Sequence, residues 1–296
     1  MLKLITKQNL FRSDQGGGKP RPYKRLDLLV RPKMAQSPNP YPGHPLIYMT
    51  TADILLKIFL TTFLMLNYNA KITLMEENIV KIISVEPVTH NVKRFRIEKP
   101  AGYIFHPGQA TDVSVNTPSL VNEKHPFTFT ALEEDPNLEF TIKIYEERHG
   151  VTAALGKLKP GDELVIGESW GAIEYKGAGV FIAGGAGVTP FIAIIRRLYK
   201  DNKTGHNLLI FSNKTFQDII LREEFSKMLG NNFINTLTAE KVPGYDNRRI
   251  DGSYIREKIT NFNQPFYICG PDPFVKEISD TLVAFGANPE SVVFEK

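Results

Sequence analysis

The apolar rhythm of this chain changes once, near residue 176, and that change restricts the fold more than any other feature. Between Glu76 and Tyr175 apolar and polar residues mostly alternate in short runs: IVKIISV, VKRFRI, ATDVSV, PFTFTAL, LEFTIKIY and DELVIG, with Gly, Pro and Asn clusters between them. Successive side chains of a strand point to opposite faces, so a period of two marks half-buried strands. A succession of such strands predicts an antiparallel barrel or sandwich, interrupted by one helix, VTAALGKL, between Gly150 and Pro160. From about Gly177 each apolar run leads into a turn and a helix-like segment: GVFIA into PFIAIIRRLY, NLLIFS into LREEFSKML, FINTL into SYIREKI, and PFYIC into DPFVKEISDTLVAF. Strands alternating with helices predict a parallel sheet covered on both faces, which binds ligands beyond the carboxyl ends of its strands. The expected architecture is an antiparallel β-barrel over residues 75–175 followed by an α/β parallel-sheet domain over residues 176–296.

The chain of 296 residues has a formal net charge of +4, but the excess is local. Residues 1–74 hold 11 Lys/Arg and 3 Asp/Glu, leaving 25 and 29 for the rest. The basic balance therefore belongs to the N-terminal segment and gives no case for nucleic acid binding by the folded part. That segment is rich in Gly, Pro, Lys and Arg without a sustained period, the composition of a disordered tail. Translation beginning at Met75 is an alternative reading of the same residues. The apolar run ADILLKIFLTTFLMLNYN is short for a membrane span and carries Lys57, so no span is expected. A single cysteine, Cys269, excludes an internal disulfide and a four-cysteine cluster within these residues. It also points to a reducing, cytoplasmic setting. No metal site is expected.

Three short stretches carry chemistry. In VFIAGGAGVTPF, Gly184, Gly185 and Gly187 fall where a strand ends and a helix begins, with Thr189 placed to cap that helix and Pro190 to open it. Such a turn lets an anion approach the backbone, and the helix dipole favours it. A structural glycine corner would read the same way. In RHGVTAAL, Gly150 and Thr152 open a short helix and Arg148 can pair with a phosphate; an ordinary capped helix is the plainer reading. In PFYICGPDPF, Cys269 ends a strand at the carboxyl edge of the parallel sheet, where buried packing is the usual role of a lone cysteine.

Taken in order, EKHPFTFTAL, RHGVT, AGGAGVTP and YICGPDPF resemble the ferredoxin–NADP reductase superfamily of flavoproteins over residues 75–296. The family's usual Arg-x-Tyr-Ser/Thr flavin motif is replaced by His125-Pro126-Phe127-Thr128, a variant similar to that of ferric reductase and oxidase members. The resemblance implies FAD bound in the barrel. Phe127 would lie against the flavin with Pro126 beside it, His125 would serve the phosphate or ribityl end, and the Thr128 hydroxyl would stand near N5. Arg148, Gly150, Val151 and Thr152 would hold the flavin phosphates, and Gly184, Gly185, Gly187 and Thr189 the pyrophosphate of NAD(P)H. Cys269, with Gly270 and Pro271, would place the nicotinamide. FHPGQ, residues 105–109, resembles the barrel turn before the flavin strand, although a simple Pro-Gly turn accounts for it. Many members end in a carboxylate and an aromatic residue that covers the flavin. Here Glu295 is the matching carboxylate, followed only by Lys296, and Phe294 is either a flavin neighbour or part of a last edge strand.

The region FINTLTAEKVPGYDNRRID, where the family holds the 2′-phosphate of NADPH, presents Glu240 where a cation is wanted, and a carboxylate repels that dianion. The lean is therefore to NADH, although Lys214, Lys241, Arg248 and Arg249 lie near enough in sequence to rescue binding of the 2′-phosphate. The function implied is a flavin-dependent NAD(P)H oxidoreductase passing electrons to a small carrier such as flavodoxin or ferredoxin. The alternatives are a ferric or flavin reductase acting on a small molecule, and an electron-transfer subunit of a larger complex.

Overall fold

The computed structural model describes residues 56–62, 77–148, 150–171 and 173–294. The possible start at Met75, the terminal Glu295 and most of the basic segment lie outside these residues. Residues 56–62 form a short exposed helical stretch. No described helix is long and apolar enough to cross a membrane.

All six expected strands form: β1 (Asn78–Thr89), β2 (Val92–Glu98), β3 (Ala110–Val115), β4 (His125–Thr128), β5 (Asn137–Lys143) and β6 (Glu163–Trp170). They make one antiparallel sheet in the order β4-β3-β6-β1-β2-β5. An antiparallel bridge from Phe129 to Phe140 joins the first strand to the last and closes the sheet into a barrel. Phe95, Phe105, Phe129, Phe140, Leu164 and Ile166 fill its interior, each at most 1% exposed. β1 runs farther than its apolar alternation, through Pro87 to Thr89, and its pairing with β2 shifts register between Ile82 and Ser84 and again between Pro87 and Thr89. The short helix α1 (Val151–Leu155) stops sooner than VTAALGKL predicts. Gly156 packs where a Cβ would lie 2.7 Å from Ile144, and the chain leaves through turn hydrogen bonds from Lys157 and Leu158.

The second sheet is wholly parallel, in the order β11-β10-β7-β8-β9, from β7 (Val180–Gly184), β8 (Leu208–Asn213), β9 (Phe233–Leu237), β10 (Phe266–Cys269) and β11 (Val292–Phe294). Alternation within each strand divides the core in two. Phe181, Ala183 and Phe211 face α2 (Thr189–Lys200) and α3 (Arg222–Leu229). Val180, Ile182 and Ile210 face α4 (Gly252–Lys258) and α5 (Asp272–Ala284). Asp251, not picked out by its sequence pattern, caps α4 by accepting the Tyr254 amide at 2.8 Å. The barrel turn at Gly108 is wedged against the segment leading to this sheet: a Cβ there would lie 2.0 Å from the Ile173 carbonyl oxygen and 3.1 Å from Ile194 of α2.

Candidate active site

Beyond the carboxyl ends of β7 and β10 lies a cleft of about 990 Å³, walled on one side by the barrel and on the other by the parallel sheet. From the barrel, β4 contributes Pro126, Phe127 and Thr128. Thr128 is 9% exposed and pairs with Ala110 of β3, which pairs in turn with Trp170 of β6, so Thr128 and Trp170 stand in one row of the sheet. His125 is exposed at the start of β4 and does not line the cleft. Arg148 does, with its guanidinium carbon 4.4 Å from the ring centroid of Tyr145. Gly150 precedes α1 and Val151 is buried in the barrel core; neither of them nor Thr152 is in the cleft lining. The amides that open α1 can still face an anion, because the first acceptor within the helix is the Gly150 carbonyl.

From the parallel sheet come the glycine turn and the Cys269 turn. Gly184 ends β7, Gly185 takes a φ of +54°, and residues Gly185–Val188 form a 3₁₀ turn that feeds into α2. Gly187 is required for packing as much as for ligand access, since a Cβ would lie 2.4 Å from the Cys269 carbonyl oxygen. Thr189 is not the accepting cap that its position predicts. It is already helical, and its hydroxyl donates to the Ala186 carbonyl at 3.0 Å, because the 3₁₀ turn moves the helix start past the usual capping geometry. Cys269 is 8% exposed and lines the cleft with Gly270 and Pro271. Phe294 pairs with Ile268 on the edge strand β11 and also lines the cleft, so the C-terminal end is both an edge strand and part of the wall.

Sequence reasoning missed Tyr145, Trp170 and Ser279, which also line the cleft. Each stands at or beyond a regular element or on a helix flank, where no motif marks it. The one available signal was that Trp170 is the only tryptophan.

These residues fit an extended polar cofactor. The Ser279 hydroxyl is buried in the cleft wall with no hydrogen-bond partner among the described residues; the side chain of Asn213 at the carboxyl end of β8 is likewise buried and unpartnered, outside the cleft lining. Buried polar groups are rarely left unpaired. A bound flavin supplies the redox chemistry itself, taking two electrons from a nicotinamide and releasing them singly or together, while the protein supplies seating and alignment.

Comparisons with known proteins agree with this arrangement. The model of an FAD-binding domain matches residues 77–158, and that of an oxidoreductase NAD-binding domain matches residues 181–280. The chain is 24% identical to the reductase component of propane 2-monooxygenase from Rhodococcus jostii over 73% of its own length, and spans 62% of that protein. It is 26% identical to NADH-cytochrome b5 reductase 2 of Rattus norvegicus over 66% of its length and 86% of the relative's. A ferredoxin NADP+ reductase from Neisseria gonorrhoeae, solved with FAD and NADP, shares the fold with a TM-score of 0.65 at 19% identity, over 74% of this chain and 98% of that one. With its FAD-binding barrel, its NAD-binding sheet and one cleft between them, the chain belongs to the ferredoxin–NADP reductase superfamily of FAD-dependent NAD(P)H oxidoreductases.

Proposed function

We propose that this protein takes reducing equivalents from NADH through FAD and delivers them to a separate small one-electron protein carrier. The observation that carries the reading is the cleft lined jointly by Thr128 of the barrel and by Gly187, Cys269 and Gly270 of the parallel sheet. On this reading Phe127 and Thr128 seat the flavin ring, and Arg148 with the α1 amides meets its phosphates. The glycine turn before α2 receives the dinucleotide pyrophosphate, and Cys269 holds the nicotinamide in line. Close alignment of the reacting atoms, at about 3–3.5 Å, is the main catalytic device.

The preference for NADH rests on Glu240. Its carboxylate accepts the Phe216 amide at 2.7 Å, which fixes a negative charge between the loops that follow β8 and β9. Two of the four nearby cations are engaged elsewhere: Arg248 pairs with Glu257 at 3.0 Å and Arg249 with Glu277 at 3.2 Å. The carrier reading draws on two facts. These residues cannot hold a four-cysteine cluster, and the relatives bear the names of a cytochrome b5 reductase and of an oxygenase reductase component.

Anaerobic stopped-flow mixing of the FAD-loaded full chain with each nucleotide tests the first half of the proposal. Rapid bleaching of the oxidised flavin band, faster with NADH than with NADPH, is expected. Bound flavin that neither nucleotide bleaches would leave an electron-transfer subunit as the better reading. Steady-state turnover with a cytochrome or ferredoxin-type acceptor, set against ferric chelates and free flavin, tests the second half. Faster turnover with the small molecules would favour a ferric or flavin reductase.

A further inference from the structure

Away from the cleft, one partly buried guanidinium joins the two sheets. Arg196 lies on α2, two turns beyond Thr189. Its Nη1 donates to the Thr130 carbonyl at 2.6 Å and to Glu139 Oε1 at 2.7 Å. Its Nε and Nη2 donate to the two carboxylate oxygens of Glu224 on α3, at 2.5 and 3.0 Å. Glu139, on β5, is 7% exposed and also accepts the Thr130 hydroxyl at 2.8 Å. Arg94 and Arg96 of β2 flank Glu139 at 3.7 and 3.4 Å. The planar fork of arginine suits this task, because each donor has a fixed direction and a lysine cannot reproduce the set.

The connectivity matters more than the charge count. Thr130 lies two residues past Thr128 on the same strand path, and between them Phe129 donates its amide to Gln109 at 3.0 Å and forms the bridge that closes the barrel. The helix that holds Arg196 begins at Thr189, at the end of the glycine turn. One side chain thus grips the strand that leads to the flavin threonine and belongs to the helix that opens at the dinucleotide turn.

We propose that Arg196 is a positioning residue for electron transfer from nicotinamide to flavin, fixing the two cofactor seats in register without touching either cofactor. This rests on the NADH-to-FAD reading above. Register between two separately bound rings is where small errors are expensive, since a misplacement of about 1 Å far from the chemistry can cost about 100-fold in rate. Neither binding constant need change, because each cofactor binds mostly to its own sheet.

The test compares Arg196→Lys, Arg196→Met and the double variant Arg196→Met/Glu139→Gln, the last removing the buried carboxylate that the single change would leave without its shortest cationic partner, with only Arg94 and Arg96 at 3.7 and 3.4 Å. Arg197→Gln serves as the control. Arg197 neighbours Arg196 on α2 and also reaches the barrel, but through Glu133 at 2.6 Å and Glu134 at more exposed positions. FAD affinity and NAD+ affinity are measured separately. The flavin bleaching rate at saturating NADH and the long-wavelength charge-transfer absorbance of the reduced enzyme with NAD+ are measured on the loaded protein. The expected result is a bleaching rate lowered about 10- to 100-fold in Arg196→Met and in the double variant, with a diminished charge-transfer band. Arg196→Lys should fall between these and the parent, both affinities should hold within about threefold, and Arg197→Gln should match the parent within about twofold. An unchanged bleaching rate and charge-transfer band in the folded double variant would overturn the proposal. So would losses matched by equal losses of FAD and NAD+ affinity. If the parent itself is not bleached by NADH, the functional reading fails instead, and the two failures are distinct.

Discussion

A Cβ on Gly187 would lie 2.4 Å from the carbonyl oxygen of Cys269, so the glycine turn and the cysteine turn are in backbone contact. A side chain at 187 can be accommodated only if one turn moves away from the other. Gly187→Ala is expected to cost about 1–3 kcal/mol of stability through overpacking and to weaken NADH binding by roughly tenfold or more. Thermal unfolding and nucleotide titration check the two effects together. Full NADH affinity in this variant would mean that the turns are not coupled.

Thr128 is nearly buried, at 9% exposed, yet lines the cleft in a row with Ala110 and Trp170. If its hydroxyl serves the flavin ring, Thr128→Val should retain the fold and FAD while slowing bleaching by NADH about 10- to 100-fold. Thr128→Ser should recover most of the rate. Stopped-flow absorbance distinguishes them, and equal rates in the valine and serine variants would remove the hydroxyl from the account.

Glu240 gives a handle on the donor. Glu240→Gln keeps an oxygen to accept the Phe216 amide and deletes the charge. The ratio of kcat/KM for NADPH over NADH should rise roughly tenfold, the effect of removing about 1.4 kcal/mol of repulsion from the 2′-phosphate, with Tm unchanged. A ratio that stays constant would place the 2′-phosphate elsewhere.

The buried Glu139 makes stability depend on acid. Burial alone raises its pKa, but Arg196, Arg94 and the Thr130 hydroxyl outweigh burial and hold the carboxyl below its ordinary value of 4.5. A carboxyl lowered on folding adds stability that is fully present above the unfolded value and is lost as pH falls through the folded one. Glu139→Gln should therefore lower Tm at neutral pH, by the equivalent of up to about 3 kcal/mol, given that Glu224 still pairs with Arg196. The gap to the parent should narrow below pH 4.5. A gap independent of pH would contradict the assignment of charge to this carboxyl.

Much of this architecture is legible in sequence because it is periodic. Alternation in VKRFRI is the physical consequence of one buried face, and β2 pairs with β5 accordingly, whereas the polar positions of LEFTIKIY, Glu139 and Thr141, are buried as well. The closing bridge from Phe129 to Phe140 was not legible, since register between strands distant in sequence leaves no local pattern. The glycine turn was visible, but its tightness against Cys269 and the 3₁₀ turn that displaced the expected cap at Thr189 were not. Trp170 and Ser279 reach the cleft by tertiary placement alone. Arg196 is the clearest case: in PFIAIIRRLY it reads as one of two polar residues on an amphipathic helix, and only the fold shows that it meets the buried Glu139 while its neighbour meets the more exposed Glu133.

On the proposed reading, nicotinamide and flavin meet directly in the cleft between Thr128 and Cys269. The most direct measurement is anaerobic bleaching of the FAD-loaded full chain by NADH carrying deuterium at one or the other of the two C4 positions. Direct transfer predicts that one labelled form slows bleaching severalfold while the other does not. Bleaching at the same rate with both labels would contradict it, as would the absence of bleaching with flavin bound.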